Sequence, residues 1–157
     1  MVAGSFASTF HGEPRMTRDI DLVIDPTREA MAKFIGSLDD ERFYKPDWVD
    51  ELDRRGMVNV IDMSTGWKVD LIFKKDRAFS NAEFERRQRV LLGGIPVFVA
   101  SAEDTILSKL EWAKISASDR QIADVRAILK TQAIDEQYLS YWADELGVTQ
   151  LLAEVSA

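Results

Sequence analysis

The chain has 157 residues, 46% of them hydrophobic and 30% charged, with 8 Gly and 4 Pro; this is the composition of one globular domain and excludes a disordered, collagenous or repeat protein. It contains no cysteine, which excludes disulfide frameworks, thiolate metal sites and thiol nucleophiles. The formal net charge of -7 and a pI near 4.8 argue against nucleic-acid binding over the whole surface.

In chain order, Gly4 and Ser5 open a short helix running through Phe10. "RDIDLVID" follows as a strand, with Ile20, Leu22 and Ile24 on one face and Asp19, Asp21 and Val23 on the other. Asp25 is the expected cap, and Pro26 the first position, of a helix toward Leu38. Pro46 opens a second short helix through Arg55. "VNVIDMSTGWKVDLIF" reads as an antiparallel hairpin turning at Ser64-Thr65-Gly66. A helix over Asn81 to Arg87 leads to two short strands, Arg89 to Leu92 and Pro96 to Val99. Beyond them Ser101, Ser118 and Asp135 are the expected caps of three helices, the third stopping at Gly147, and a last helix covers Thr149 to Val155. Strands first and helices last define an α+β domain: a small mixed β-sheet packed by helices over residues 1–100, then a C-terminal helical part, 101–157, packed on the same single domain.

The longest apolar run, Val90 to Ala100, is broken by Gly93, Gly94 and Pro96 and falls far short of the roughly 20 residues a bilayer demands. With no signal or lipidation motif, a soluble cytoplasmic protein with no membrane partner is expected. Basic residues concentrate at Lys68, Lys74, Lys75, Arg77, Arg86, Arg87 and Arg89, either as a solvated face or as a phosphate-contacting patch.

Aspartate is a poor strand former, so Asp19 and Asp21 inside an apolar strand need an explanation. They project from one face roughly 6 to 7 Å apart. Either both are solvated, or their repulsion is relieved by a divalent cation. Asp70 is a third acid within an apolar run, with Val69, Leu71 and Phe73 on the opposite face. Two strands that each bury one face can gather the three acids on the other, which is the ligand set of a two-metal phosphoryl-transfer site. Gly4 and Ser5, ahead of these acids, offer backbone amides and a helix start to a phosphate. Lys109 borders the apolar stripe of Ile106, Leu110 and Ala113, where a lysine needs a partner or must snorkel to water. Arg120 and Asp124, four apart, read as an exposed helical ion pair, and His11 as a loop or cap residue.

The ordered set of Gly-Ser, Arg-x-Thr, "DID", "KVDLIF" and the lysine of "EDTILSKLEWAK" resembles the nucleotidyltransferase superfamily with the DNA polymerase β type fold, and most closely its bacterial AbiEii-like members, some of which are toxins of toxin-antitoxin pairs. The resemblance implies transfer of a nucleoside monophosphate from a nucleoside triphosphate to a hydroxyl on RNA, protein or a small molecule. It implies that Asp19, Asp21 and Asp70 ligate Mg²⁺ or Mn²⁺, with Asp70 helping to deprotonate the acceptor. Gly4, Ser5, Arg15, Thr17 and Lys109 would hold the nucleotide. Two departures stand out. In that family a helix and most of a strand usually precede the Gly-Ser pair, whereas only Met1, Val2 and Ala3 do here, so either the start lies upstream of Met1 or the first strand is shortened. In the fourth motif Gln121 replaces the first acid. These favour an alternative, a catalytically inactive module that binds nucleotide or a protein partner, as half of a toxin-antitoxin pair or as a homodimer.

Overall fold

Alternating apolar residues set the sheet, and their burial on one side leaves the acids on the other. The computed structural model describes residues 1–14, 16–116 and 118–156. Strands β1 (Asp19–Ile24), β2 (Phe43–Tyr44), β3 (Met57–Asp62) and β4 (Trp67–Phe73) form a sheet in the order β1-β4-β3-β2, with β1 parallel to β4 and β3 antiparallel to both its neighbours. Helices α2 (Arg28–Ser37) and α3 (Val49–Asp53) cover one face through Met31 and Leu52, which pack on Val58, Val60, Leu71 and Phe73 with Leu22 and Ile24 alongside. Each such buried side chain contributes about 1.5 to 3 kcal/mol.

The cap of α2 is Thr27, whose hydroxyl accepts from the Ala30 N–H, and not Asp25. Asp25 is instead drawn into ion pairs with Arg55 at 2.9 Å and Lys74 at 3.5 Å. Helix α4 (Ala78–Glu85) begins three residues earlier than its sequence suggests, because Phe79 is pulled against Trp142, ring centroids 5.4 Å apart.

Residues 1–3 form a bridge between two sheets. Ala3 N–H donates to the Asp21 carbonyl at 2.9 Å on one side, and Val2 N–H to the Phe98 carbonyl at 2.6 Å on the other. The second sheet is the hairpin of β5 (Gln88–Leu92) and β6 (Ile95–Val99). Helix α1 (Gly4–His11) leaves this bridge and lies over the acidic face of β1. His11, expected as a loop or cap residue, is buried in the last turn of α1, where its Nε2 lies 2.7 Å from the Ala100 carbonyl oxygen.

Helices α5 (Ala102–Ser116), α6 (Asp119–Thr131), α7 (Glu136–Glu145) and α8 (Thr149–Ser156) share a second core of Ile106, Leu107, Leu110, Val125, Ile128, Leu139, Ala143 and Val148. Ser101 caps α5 by accepting from Asp104 N–H, and Asp135 caps α7 by accepting from Tyr138 N–H; Ser118 occupies the cap position of α6 without a side-chain bond. Among the described residues no helix is long and apolar enough to cross a membrane.

Candidate active site

The parallel pairing of β1 with β4 decides which acids meet. It sets Asp21 directly opposite Asp70 and Asp19 opposite Lys68, while Asn59 of β3 faces Asp70 from the other side. Adjacent strands lie roughly 4.8 Å apart, so Asp21 and Asp70 are close like charges on one face. Asp70 is buried, and each of its oxygens has a donor: Asn59 Nδ2 to Oδ1 at 2.5 Å and Lys68 Nζ to Oδ2 at 3.0 Å.

Asp21 lies under the start of α1. Ser5 N–H points at its Oδ2 from 3.4 Å, and a Cβ built on Gly4 would fall 1.9 Å from that same oxygen. The bridge through Ala3 creates this closeness, because bonding Ala3 N–H to the Asp21 carbonyl brings the next two residues over the Asp21 side chain. Burial pushes the Asp21 carboxyl above the ordinary aspartate range; the Ser5 amide pulls it down, neighbouring Asp70 pushes it up again, and Lys109 and Lys68 lower it. A group so poised favours the arrival of more positive charge.

The expected trio of carboxylates is only partly assembled. Asp19 has a side chain 55% exposed, its Oδ1 3.8 Å from Lys68 Nζ, and among the described residues no group of three or more His, Cys, Asp or Glu side chains is placed to hold a metal ion. The cause is register: a lysine, not an acid, stands opposite Asp19. Asp21 and Asp70 nevertheless fit Mg²⁺ in chemistry, since that ion binds through one or two carboxylates and takes its other ligands from water and phosphate oxygens.

Lys109 is buried and its ammonium is held 2.7 Å from Asp124 Oδ2 and 2.9 Å from Gln121 Oε1. Asp124 Oδ2 also accepts from Ser8 Oγ at 3.2 Å, so this ion pair ties α5 and α6 to α1. The exposed Arg120–Asp124 pair is therefore corrected: the Asp124 side chain is only 11% exposed and faces Lys109. Its burial had a sequence signal, since Gln121, Asp124, Val125 and Ile128 follow the i, i+3, i+4, i+7 spacing of one helix face.

Of the other expected nucleotide contacts, Thr17 turns its hydroxyl onto the backbone of Asp19, accepting from its N–H at 3.2 Å, and Arg15 lies outside the described residues. The basic middle segment is largely engaged within the chain: Arg77 with Glu111, Arg86 with Glu103, Lys74 with Asp25 and Lys68 with Asp70. That pairing weakens its reading as a phosphate-contacting patch. A cleft of about 680 Å³ between α6, α7 and α8, floored by Leu129, Leu139 and Leu152, stands apart from all of these groups.

No protein-family model matches the chain, and neither does any curated protein. Its fold is similar to the crystal structure of an antigenic nucleotidyltransferase-like protein from Paracoccidioides brasiliensis, with a TM-score of 0.50 and 16% identity over 83% of this chain. The fold is nucleotidyltransferase-like. The chain spans 65% of that neighbour's length. In this domain, the acids of β1 and β4 and the first turn of α1 form one surface, with the Lys109–Asp124 pair among the helices that pack on α1.

Proposed function

We propose that this chain is a metal-dependent nucleotidyltransferase that moves a nucleoside monophosphate from a nucleoside triphosphate to a hydroxyl acceptor, in the manner of the AbiEii-like enzymes its motifs resemble. The observation that carries this reading is the in-register pairing of Asp21 with Asp70 directly beneath Gly4 and Ser5. Asp21 and Asp70, with Asp19 at the rim, would hold Mg²⁺ or Mn²⁺, which supplies charge neutralisation on the phosphates and the departing pyrophosphate. The Gly4–Ser5 backbone, packed directly against Asp21, would orient the triphosphate beside the acids. The acceptor oxygen bonds to the α-phosphorus as the α–β bridging P–O bond breaks and pyrophosphate leaves. Asp70, held in orientation by Asn59, takes the acceptor proton. The Lys109–Asp124 pair fixes α5 and α6 against α1 and adds positive potential near Asp21.

Calorimetric titration of the four ribonucleoside triphosphates, with and without Mg²⁺, tests this reading on wild type and on Asp21→Asn/Asp70→Asn. Binding that needs Mg²⁺ and is lost in the double variant is expected. Absence of binding by the wild type would overturn it. That outcome would favour a catalytically inactive module that binds an antitoxin-like protein partner, a reading supported by the incomplete carboxylate trio and by Gln121.

A further inference from the structure

Lys68 stands in the middle of the acidic face. Its ammonium is 3.0 Å from Asp70 Oδ2 and 3.8 Å from Asp19 Oδ1, and the strand register holds its backbone opposite Asp19. Asp70 divides its two oxygens between partners of different kinds. Oδ1 is tied to the neutral amide of Asn59, whereas Oδ2 is held by the charged end of Lys68. The oxygen with most to offer a metal is therefore the one Lys68 already holds. A divalent ion and an ammonium cannot share that oxygen without strong like-charge repulsion. The Lys68 side chain is 36% exposed, so its four-carbon stem can carry the charge out to water while Asn59 keeps the Asp70 carboxylate oriented.

Resting on the metal-site reading above, we propose that Lys68 is the exchangeable counter-cation of this site: a positioning residue that neutralises Asp70 and Asp19 until a divalent ion displaces it. Lys68 thereby sets the threshold for metal loading. Its removal makes the site bind a divalent ion more tightly. A merely structural ion pair would lose stability on the same change and gain no metal affinity.

The test is binding of Mn²⁺ alone to the full chain, followed by electron paramagnetic resonance, in wild type, Lys68→Met, Lys68→Arg and Asp70→Asn. Lys68→Met is expected to bind Mn²⁺ at least about tenfold more tightly than wild type, the scale of one removed positive charge at a half-exposed site. Lys68→Arg should restore wild-type affinity, and Asp70→Asn should weaken binding whichever residue occupies position 68. If Lys68→Met does not fold, Lys68→Gln, neutral and hydrophilic, replaces it. Unchanged or weaker Mn²⁺ affinity in the neutral variant overturns the proposal, and so does an absence of Mn²⁺ binding in every variant. The two readings fail separately. Mn²⁺ binding that needs Asp70 but ignores Lys68 removes the counter-cation role and leaves the metal site. Tighter binding in Lys68→Met without any nucleoside triphosphate binding keeps the counter-cation role and removes the transferase reading.

Discussion

Replacing Gly4 by alanine places a methyl group inside the Asp21 carboxylate. The added Cβ would meet Asp21 Oδ2 at 1.9 Å, Cγ at 2.5 Å and Cβ at 2.9 Å, so the whole side chain must move and not only its tip. Gly4 also has φ +54°, a left-handed conformation that costs an L-residue about 1 to 2 kcal/mol. Expelling Asp21 forfeits the long Ser5 N–H contact, worth roughly 1 kcal/mol, while its desolvation and its repulsion from Asp70 are partly relieved. The balance is a loss of about 1.5 to 3 kcal/mol, which in a domain of this size lowers Tm by roughly 3 to 10 °C. Urea denaturation of Gly4→Ala measures it, and Gly36→Ala is the matched control. Gly36 lies in α2 with nothing within 4 Å of an added Cβ, so alanine there should be neutral or stabilising by about 0.5 kcal/mol. If Gly4→Ala proves as stable as wild type to within about 0.5 kcal/mol, Gly4 does not lie against Asp21 and the proposed phosphate grip loses its geometry.

Two further outcomes are expected. Lys109→Met should cost about 3 kcal/mol or more in denaturation, because Asp124 stays buried without its ammonium, and Lys109→Met/Asp124→Leu should recover at least about half of that loss; a double variant no better than the single one would show that the pair does not set the cost. Glu83 is buried against α5, and that burial, reinforced by Asp104, pushes its carboxyl up to about 7 despite the Ser108 hydroxyl and Arg77. Its folded value thus lies above the unfolded one, so the folded state holds a proton that the unfolded state releases, and Glu83's contribution to stability falls as pH rises from about 4.5 to about 7. Glu83→Gln should be more stable than wild type above pH 7 by up to about 3 kcal/mol, with the difference shrinking toward pH 5; a pH-independent difference would refute the assignment.

Apart from the two-residue β2, the strands, the hairpin and most helix starts were legible because they are local properties. Period-two alternation in Asp19–Ile24 and Trp67–Phe73 separates an acidic face from an apolar one wherever the strand is placed. The same alternation put Asp19, Asp21 and Asp70 on acidic faces. Short-range competition is harder to read: Thr27 displaced Asp25 as the cap because two distant cations, Arg55 and Lys74, recruited Asp25 elsewhere.

By itself, then, the sequence determined the α+β class, the identity of the acids and the order of the Gly-Ser pair, the Asp-x-Asp and the later Asp70. Which charges face one another was decided only in three dimensions. Parallel register paired Asp21 with Asp70 and gave Asp19 a lysine, and helix packing took Asp124 from an expected surface pair into a buried bond with Lys109. The reason is one of range. Alternation and capping act over a few residues of chain, whereas cross-strand register and helix contacts join residues tens of positions apart, and the strength of a charge pair follows separation in space and exposure to water.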